Sequence, residues 1–259
     1  MIFRYVNGFL TGGAVKKIRV AVMAVMAICM SGCFPFGMSA SHETPPMPLI
    51  SPEATVEVGE VLFETAPTGC IESISELPDS DVYSRDNPYL QSDHLIVVLK
   101  EARRLMLFQN GKIRHDRTGG APDCWKIALG IYTDGRPSGA LDKTRQGDRH
   151  TPTGLFRTSD KPWSQYQDAI LIHYPSPRHA AAARDSGRIA DVEVEEIHRA
   201  HINGVPPPQD TPLGGEILIH GGGSQADWTW GCIALNDNDL TELRALLPGG
   251  MKTWMLILP

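Results

Sequence analysis

The sequence predicts a mainly β domain with a few helices, an α+β arrangement, and three observations carry that expectation. First, 20 prolines and 25 glycines are spread through 259 residues, so turns interrupt any long amphipathic run. Second, short apolar runs of strand length recur between turn residues, at 94–99, 105–108, 125–130, 169–174, 217–219 and 253–258. Third, only two stretches show helical spacing. One holds Val194, Ile197, His198, His201 and Ile202; the other holds Leu240, Leu243, Leu246 and Leu247.

The N-terminal residues differ from the rest. Lys16, Lys17 and Arg19 precede an apolar run at 20–30, which is short for a membrane span and fits the core of an export signal. Met30-Ser31-Gly32-Cys33 follows, with small residues before a cysteine. It resembles a lipoprotein processing site, so residues 1–32 are read as a signal peptide of lipoprotein type and Cys33 as the lipidated residue. An ordinary cleaved export signal and a plain membrane anchor are the alternatives. Residues 33–52, with Thr44-Pro45-Pro46-Met47-Pro48, read as a flexible tether. Residues 53–92 form an N-terminal extension of unknown role, and 93–259 the main domain.

Within that domain, Asn110-Gly111 after the second apolar run marks a tight hairpin. Acidic residues open the helix at 190–202, in the charge order the helix dipole favours. Asn236 and Asp237 are N-cap candidates for the leucine helix, and Pro248-Gly249-Gly250 stops it. The net charge of −6, without a dense basic patch, gives no support to a nucleic-acid partner.

Cysteines narrow the chemistry. Beyond the leader the chain has Cys70, Cys124 and Cys232. In an oxidising compartment Cys70 and Cys124 either pair or stay separate buried thiols; Cys232 is the odd thiol in both cases. It stands in Ile219-His220-Gly221-Gly222-Gly223-Ser224-Gln225-Ala226-Asp227-Trp228-Thr229-Trp230-Gly231-Cys232-Ile233. There a strand end delivers an imidazole, and a glycine-rich loop returns a thiol to it. A thiolate is the attacking form of cysteine, and a neighbouring imidazole can take the thiol proton. The amides of Gly231 and Cys232 are candidate donors to a developing oxyanion. Asp227, Trp228, Thr229 and Trp230 are candidate substrate contacts. For Asp227 holding the loop, and for the two tryptophans core packing, are the competing roles. No metal site is read: His198 and His201 lie three apart on one helix without a third ligand. His150 and His173 read as structural, with a place at the border of the cleft as the alternative.

Thr151-Pro152-Thr153-Gly154, then His220-Gly221, then Thr229-Trp230-Gly231-Cys232-Ile233, occur in the order that resembles the L,D-transpeptidase (YkuD-type) catalytic domain, over about residues 93–259. The resemblance implies a β-sandwich or barrel fold and a cysteine acylated by a peptidoglycan stem peptide, with no cofactor. Carried over, Cys232 is the nucleophile, His220 the base, and the carbonyl of Gly221 orients the imidazole. The acyl group then passes to an amine, on another stem or on a protein, or to water. Trp230 and Ala234 depart from the usual histidine and polar residue of the motif. They keep hydrolysis, or a wall-binding module without turnover, open as alternatives. The place implied is the periplasm or cell envelope, on a lipid anchor.

Overall fold

A computed structural model describes residues 69–131, 141–250 and 252–259. The leader, Cys33, the tether and the first part of the extension lie outside these residues. Among these residues nine strands form one mixed sheet, and three α-helices accompany it.

The strands are β1 (Leu95–Leu99), β2 (Arg104–Gln109), β3 (Lys112–Ile113), β4 (Cys124–Lys126), β5 (Gly154–Asp160), β6 (Ile170–Ile172), β7 (Leu218–His220), β8 (Ile233–Ala234) and β9 (Trp254–Leu258). Their order across the sheet is β3-β2-β1-β9-β5-β6-β7-β8, with β4 paired to β2. Strands β1 and β9 are continuous apolar runs because both of their faces are covered. Ile96, Val98, Met255 and Ile257 enter one core, while Leu95, Val97, Trp254, Leu256 and Leu258 enter a second. That two-residue partition is the strand period expressed in packing.

Strand β5 joins two halves of the sheet: Gly154 to Arg157 pair with β9, and Thr158 to Asp160 pair with β6. The chain beyond β4 then bridges to the far edge, with Ala128 and Ala234 exchanging both amide bonds at 2.8 and 2.9 Å. Since β4 pairs with β2, the path returns on itself and closes as a barrel-like ring, which covers the open edges. The expected β-rich fold with a few helices is what the chain forms.

The predicted helices are α2 (Asp191–Asn203) and α3 (Asp237–Leu246), the latter with Asn236 at its N-cap position. Ile197, Leu240 and Leu243 face the first core, as their spacing requires. Three of these strands and helices escaped the sequence reading, among them β8, whose two residues are too few to show a period. Helix α1 (Pro177–Asp185) is alanine-rich and carries little apolar periodicity, so only Ser176-Pro177 marked its start. Strand β5 begins at the glycine of the Thr-Pro-Thr-Gly turn and alternates with polar residues.

The described part of the extension packs on the domain. Leu77 and Leu90 lie in the second core with Met106 and Phe108, and Ile71, Ile74, Val82 and Tyr83 border it. A disulfide joins Cys70 to Cys124, Cα–Cα 6.2 Å, which resolves the open pairing and leaves Cys232 the free cysteine among the described residues.

Candidate active site

Sheet register assembles the site. Parallel pairing sets Ile219 against Ile233 and His220 against Ala234, so Cys232 is level with Leu218. Side chains two apart on a strand share a face, and adjacent strands lie about 4.8 Å apart. Leu218, His220 and Cys232 are therefore neighbours on one face, while Ile219 and Ile233 point the other way into the first core. Leu218 joins Ala169 and Leu171 in a small third cluster against which Cys232 and Tyr166 pack. His220 and Cys232 both line a cleft of about 670 Å³ that Tyr166, Trp163, Trp228, Trp230, Lys161 and Glu216 also border.

The imidazole is fixed on three sides. Nδ1 lies 2.6 Å from the Gly221 carbonyl, so it must carry the proton, and Nε2 keeps its lone pair. Tyr166 stacks on the ring at 4.0 Å and 13°, and Trp228 meets it edge-on at 5.4 Å. Burial lowers the His220 pKa below its ordinary 6.5, with the Gly221 carbonyl partly opposing. Cys232 is shifted the other way. Burial raises its pKa, although the Leu218 amide, 3.4 Å from Sγ, and the charge of Lys143 favour the thiolate. The two shifts together favour a neutral thiol beside a neutral imidazole over a standing ion pair.

Glycines permit the close approaches. A Cβ on Gly221 would lie 2.2 Å from Asp237 Oδ1, the atom that accepts the Gly222 amide at 2.8 Å. Gly231 has φ +117°, and a Cβ there would lie 2.7 Å from the His150 carbonyl. The loop before Cys232 is tied from within as well. Thr229 is buried and donates its hydroxyl to the Cys232 carbonyl at 2.7 Å, while the Gly231 amide donates to Thr229 Oγ1 at 3.2 Å. That bond is one the Gly231 amide would share or release to reach an oxyanion. Arg103 clamps Asp227 through Nε and Nη2 at 3.1 and 2.8 Å, and the Leu129 amide donates to it at 2.9 Å. Trp228 anchors its indole N–H on the Gly223 carbonyl at 3.0 Å. Trp230 is exposed, with the Arg149 guanidinium 4.4 Å from its ring centre.

The Thr-Pro-Thr-Gly turn lies behind this loop and is held by a lysine that the sequence did not single out. Lys100, wholly buried, donates to the Leu141 carbonyl (2.6 Å), the Thr151 carbonyl (3.2 Å) and Thr153 Oγ1 (2.7 Å). Burial pushes its pKa down to about 8. Tyr166 was also missed; it comes from a polar loop with no motif. His150 bonds the Asp142 carbonyl and His173 bonds Ser159, as structural histidines would. On α2, His201 packs edge-on to Trp254.

Residues 92–255 match the model of the L,D-transpeptidase catalytic domain, YkuD. Among solved structures, the chain is similar to the helical cell shape determining protein Pgp2 (K307A mutant) from Campylobacter jejuni, at 24% identity and TM-score 0.42, over 65% of this chain and 48% of that one. It is also similar to an L,D-transpeptidase (residues 123–326) from Xylanimonas cellulosilytica, at 11% identity and TM-score 0.34, covering 64% and 61%. An L,D-transpeptidase from Mycobacterium tuberculosis matches at 10% identity and TM-score 0.36, covering 64% and 58%. The chain spans about half the length of the Campylobacter protein. No curated protein matches it.

Proposed function

The chain belongs to the L,D-transpeptidase catalytic domain family, and from that premise we propose that it is an exported cysteine acyltransferase acting on peptidoglycan stem peptides. The observation that supports this most is the sharing of one strand face and one cleft by His220 and Cys232. His220 Nε2 takes the Cys232 thiol proton as sulfur attacks the carbonyl of the L-centre diamino acid. The Cys232 amide, with the Gly231 amide if it leaves Thr229, meets the developing oxyanion. The C–N bond to the terminal D-alanine breaks, the imidazolium protonates the departing amine, and a thioester remains on Cys232. An amine on a second stem, or on a protein, then gives Nε2 its proton and displaces sulfur. Water in place of the amine makes the same enzyme a hydrolase; Trp230 and Ala234 keep that outcome open. No cofactor enters either course. Cys33 would hold the protein to a membrane of the envelope by a lipid.

The full chain incubated with a tetrapeptide muropeptide should release D-alanine, read by mass spectrometry. Added amine acceptor diverts the product from tripeptide to cross-linked or exchanged peptide if transfer is the reaction. No change in the muropeptide in either condition would sink the proposal.

The pH dependence follows from the site. Protonated His220 cannot accept the thiol proton, so kcat/KM falls on the acid side as His220 titrates. Because its pKa is lowered from 6.5, the acid limb should have its midpoint below pH 6.5. A midpoint above 7 would contradict the neutral resting pair.

A further inference from the structure

Of the five tryptophans in the chain, Trp125 and Trp254 are buried and Trp228 is half-buried with its N–H bonded. The other two are 75% (Trp163) and 69% (Trp230) exposed. Both border the cleft that holds Cys232, from the two loops that frame it. Each indole has a cation over its ring, Lys161 Nζ at 5.6 Å for Trp163 and Arg149 Cζ at 4.4 Å for Trp230. A cation covers one face of a ring and fixes its position; exposure this high leaves the other face to solvent.

The surroundings of the rings favour one kind of ligand. Lys161 is ion-paired with Glu216 at the same rim, so the charge there is balanced. Ser164 and Gln165 add hydrogen-bonding groups beside the rings. Among the described residues the exposed aliphatics are Ile131, Val192, Ile202 and Val205; none of them borders the cleft, and the last three are on α2 or just past its end. A protein partner would be met by a contiguous apolar patch. Two separate flat rings in a polar frame suit an N-acetylated aminosugar, which has an apolar C–H face and a rim of hydroxyl and acetamido groups.

We propose that Trp163 and Trp230 form a glycan platform on the rim of the cleft, stacking the N-acetylated aminosugar rings that carry the stem peptide. The inference rests on the peptidoglycan reading and extends it from the peptide to the strand that bears it. Platform binding brings the peptide to the dyad without touching the reacting atoms, so it acts on KM and not on the chemical step.

Two measurements test it. In the first, full-chain Cys232→Ala protein is titrated with peptide-free N-acetylglucosamine oligomers, and indole fluorescence is followed. Saturable quenching is expected, and adding Trp163→Ala or Trp230→Ala should raise Kd by about tenfold each. Trp163→Phe, which keeps a ring, should restore part of the affinity. In the second, wild-type KM for a disaccharide-tetrapeptide should be about tenfold below that for the free tetrapeptide, and Trp163→Ala should bring the ratio close to one. Absence of saturable oligomer binding, or equal KM for the two wild-type substrates, overturns the platform. Oligomer binding without turnover of either substrate would support the platform and overturn the acyltransfer reading alone.

Discussion

Cys232→Ala protein should release no D-alanine above background from a tetrapeptide muropeptide, while melting at the wild-type temperature. The thiol sulfur is the atom that bonds to the substrate, and it stands beside His220 on one strand face; the hydroxyls lining the cleft are on Ser164, Tyr166 and Thr229, and Thr229 is buried in a bond to the Cys232 carbonyl. His220→Gln should be milder, with turnover about 10²- to 10⁴-fold lower, because loss of a general base leaves the nucleophile in place. The pair of variants also separates enzyme from wall-binding module. Iodoacetamide should modify Cys232 in wild-type protein and leave the Cys70–Cys124 bridge intact. Residual D-alanine release from Cys232→Ala would refute the assigned nucleophile. Wild-type thiol that resists alkylation, with no turnover, would favour the module.

Removing the Cys70–Cys124 bridge should cost stability and leave the chemistry in place. The bridge closes a loop of sequence separation 54, for which loss of unfolded-state constraint corresponds to about 4 kcal/mol. For a domain of this size that is a fall in melting temperature of about 10 °C. Cys124 and the residues around Cys70 belong to the second core, away from the small cluster under Cys232. The Cys70→Ser/Cys124→Ser double variant should therefore keep its KM below the new melting point. Thermal melts of this variant, and of wild type in dithiothreitol, check the estimate. A change within about 2 °C in both would show that the extension is held by its apolar contacts and not by the bridge.

The sequence by itself determined residue identity and period. The apolar runs announced β1, β2, β6, β7 and β9 because a strand buried on both faces has to be apolar at every position, and that leaves a mark in any window. Cys232 and His220 were legible because their glycine-flanked motifs occur in an ordered set. Elements whose residues are held by partners far along the chain left no such mark. The turn at Thr151 to Gly154 was seen, but not Lys100 that holds it, since a lysine after an apolar run reads as a solvated end. Asp227 is clamped by Arg103, 124 positions away, a partner that no local pattern announces. Tyr166 stacks on His220 from a loop of polar residues with no period at all. Whether Cys70 and Cys124 pair or stay separate buried thiols was open in the sequence, and the structure joins them. In each case the deciding quantity is a distance between side chains brought together by register and ring closure. Only the tertiary structure sets that distance, because local propensity acts over a few residues and these contacts span dozens.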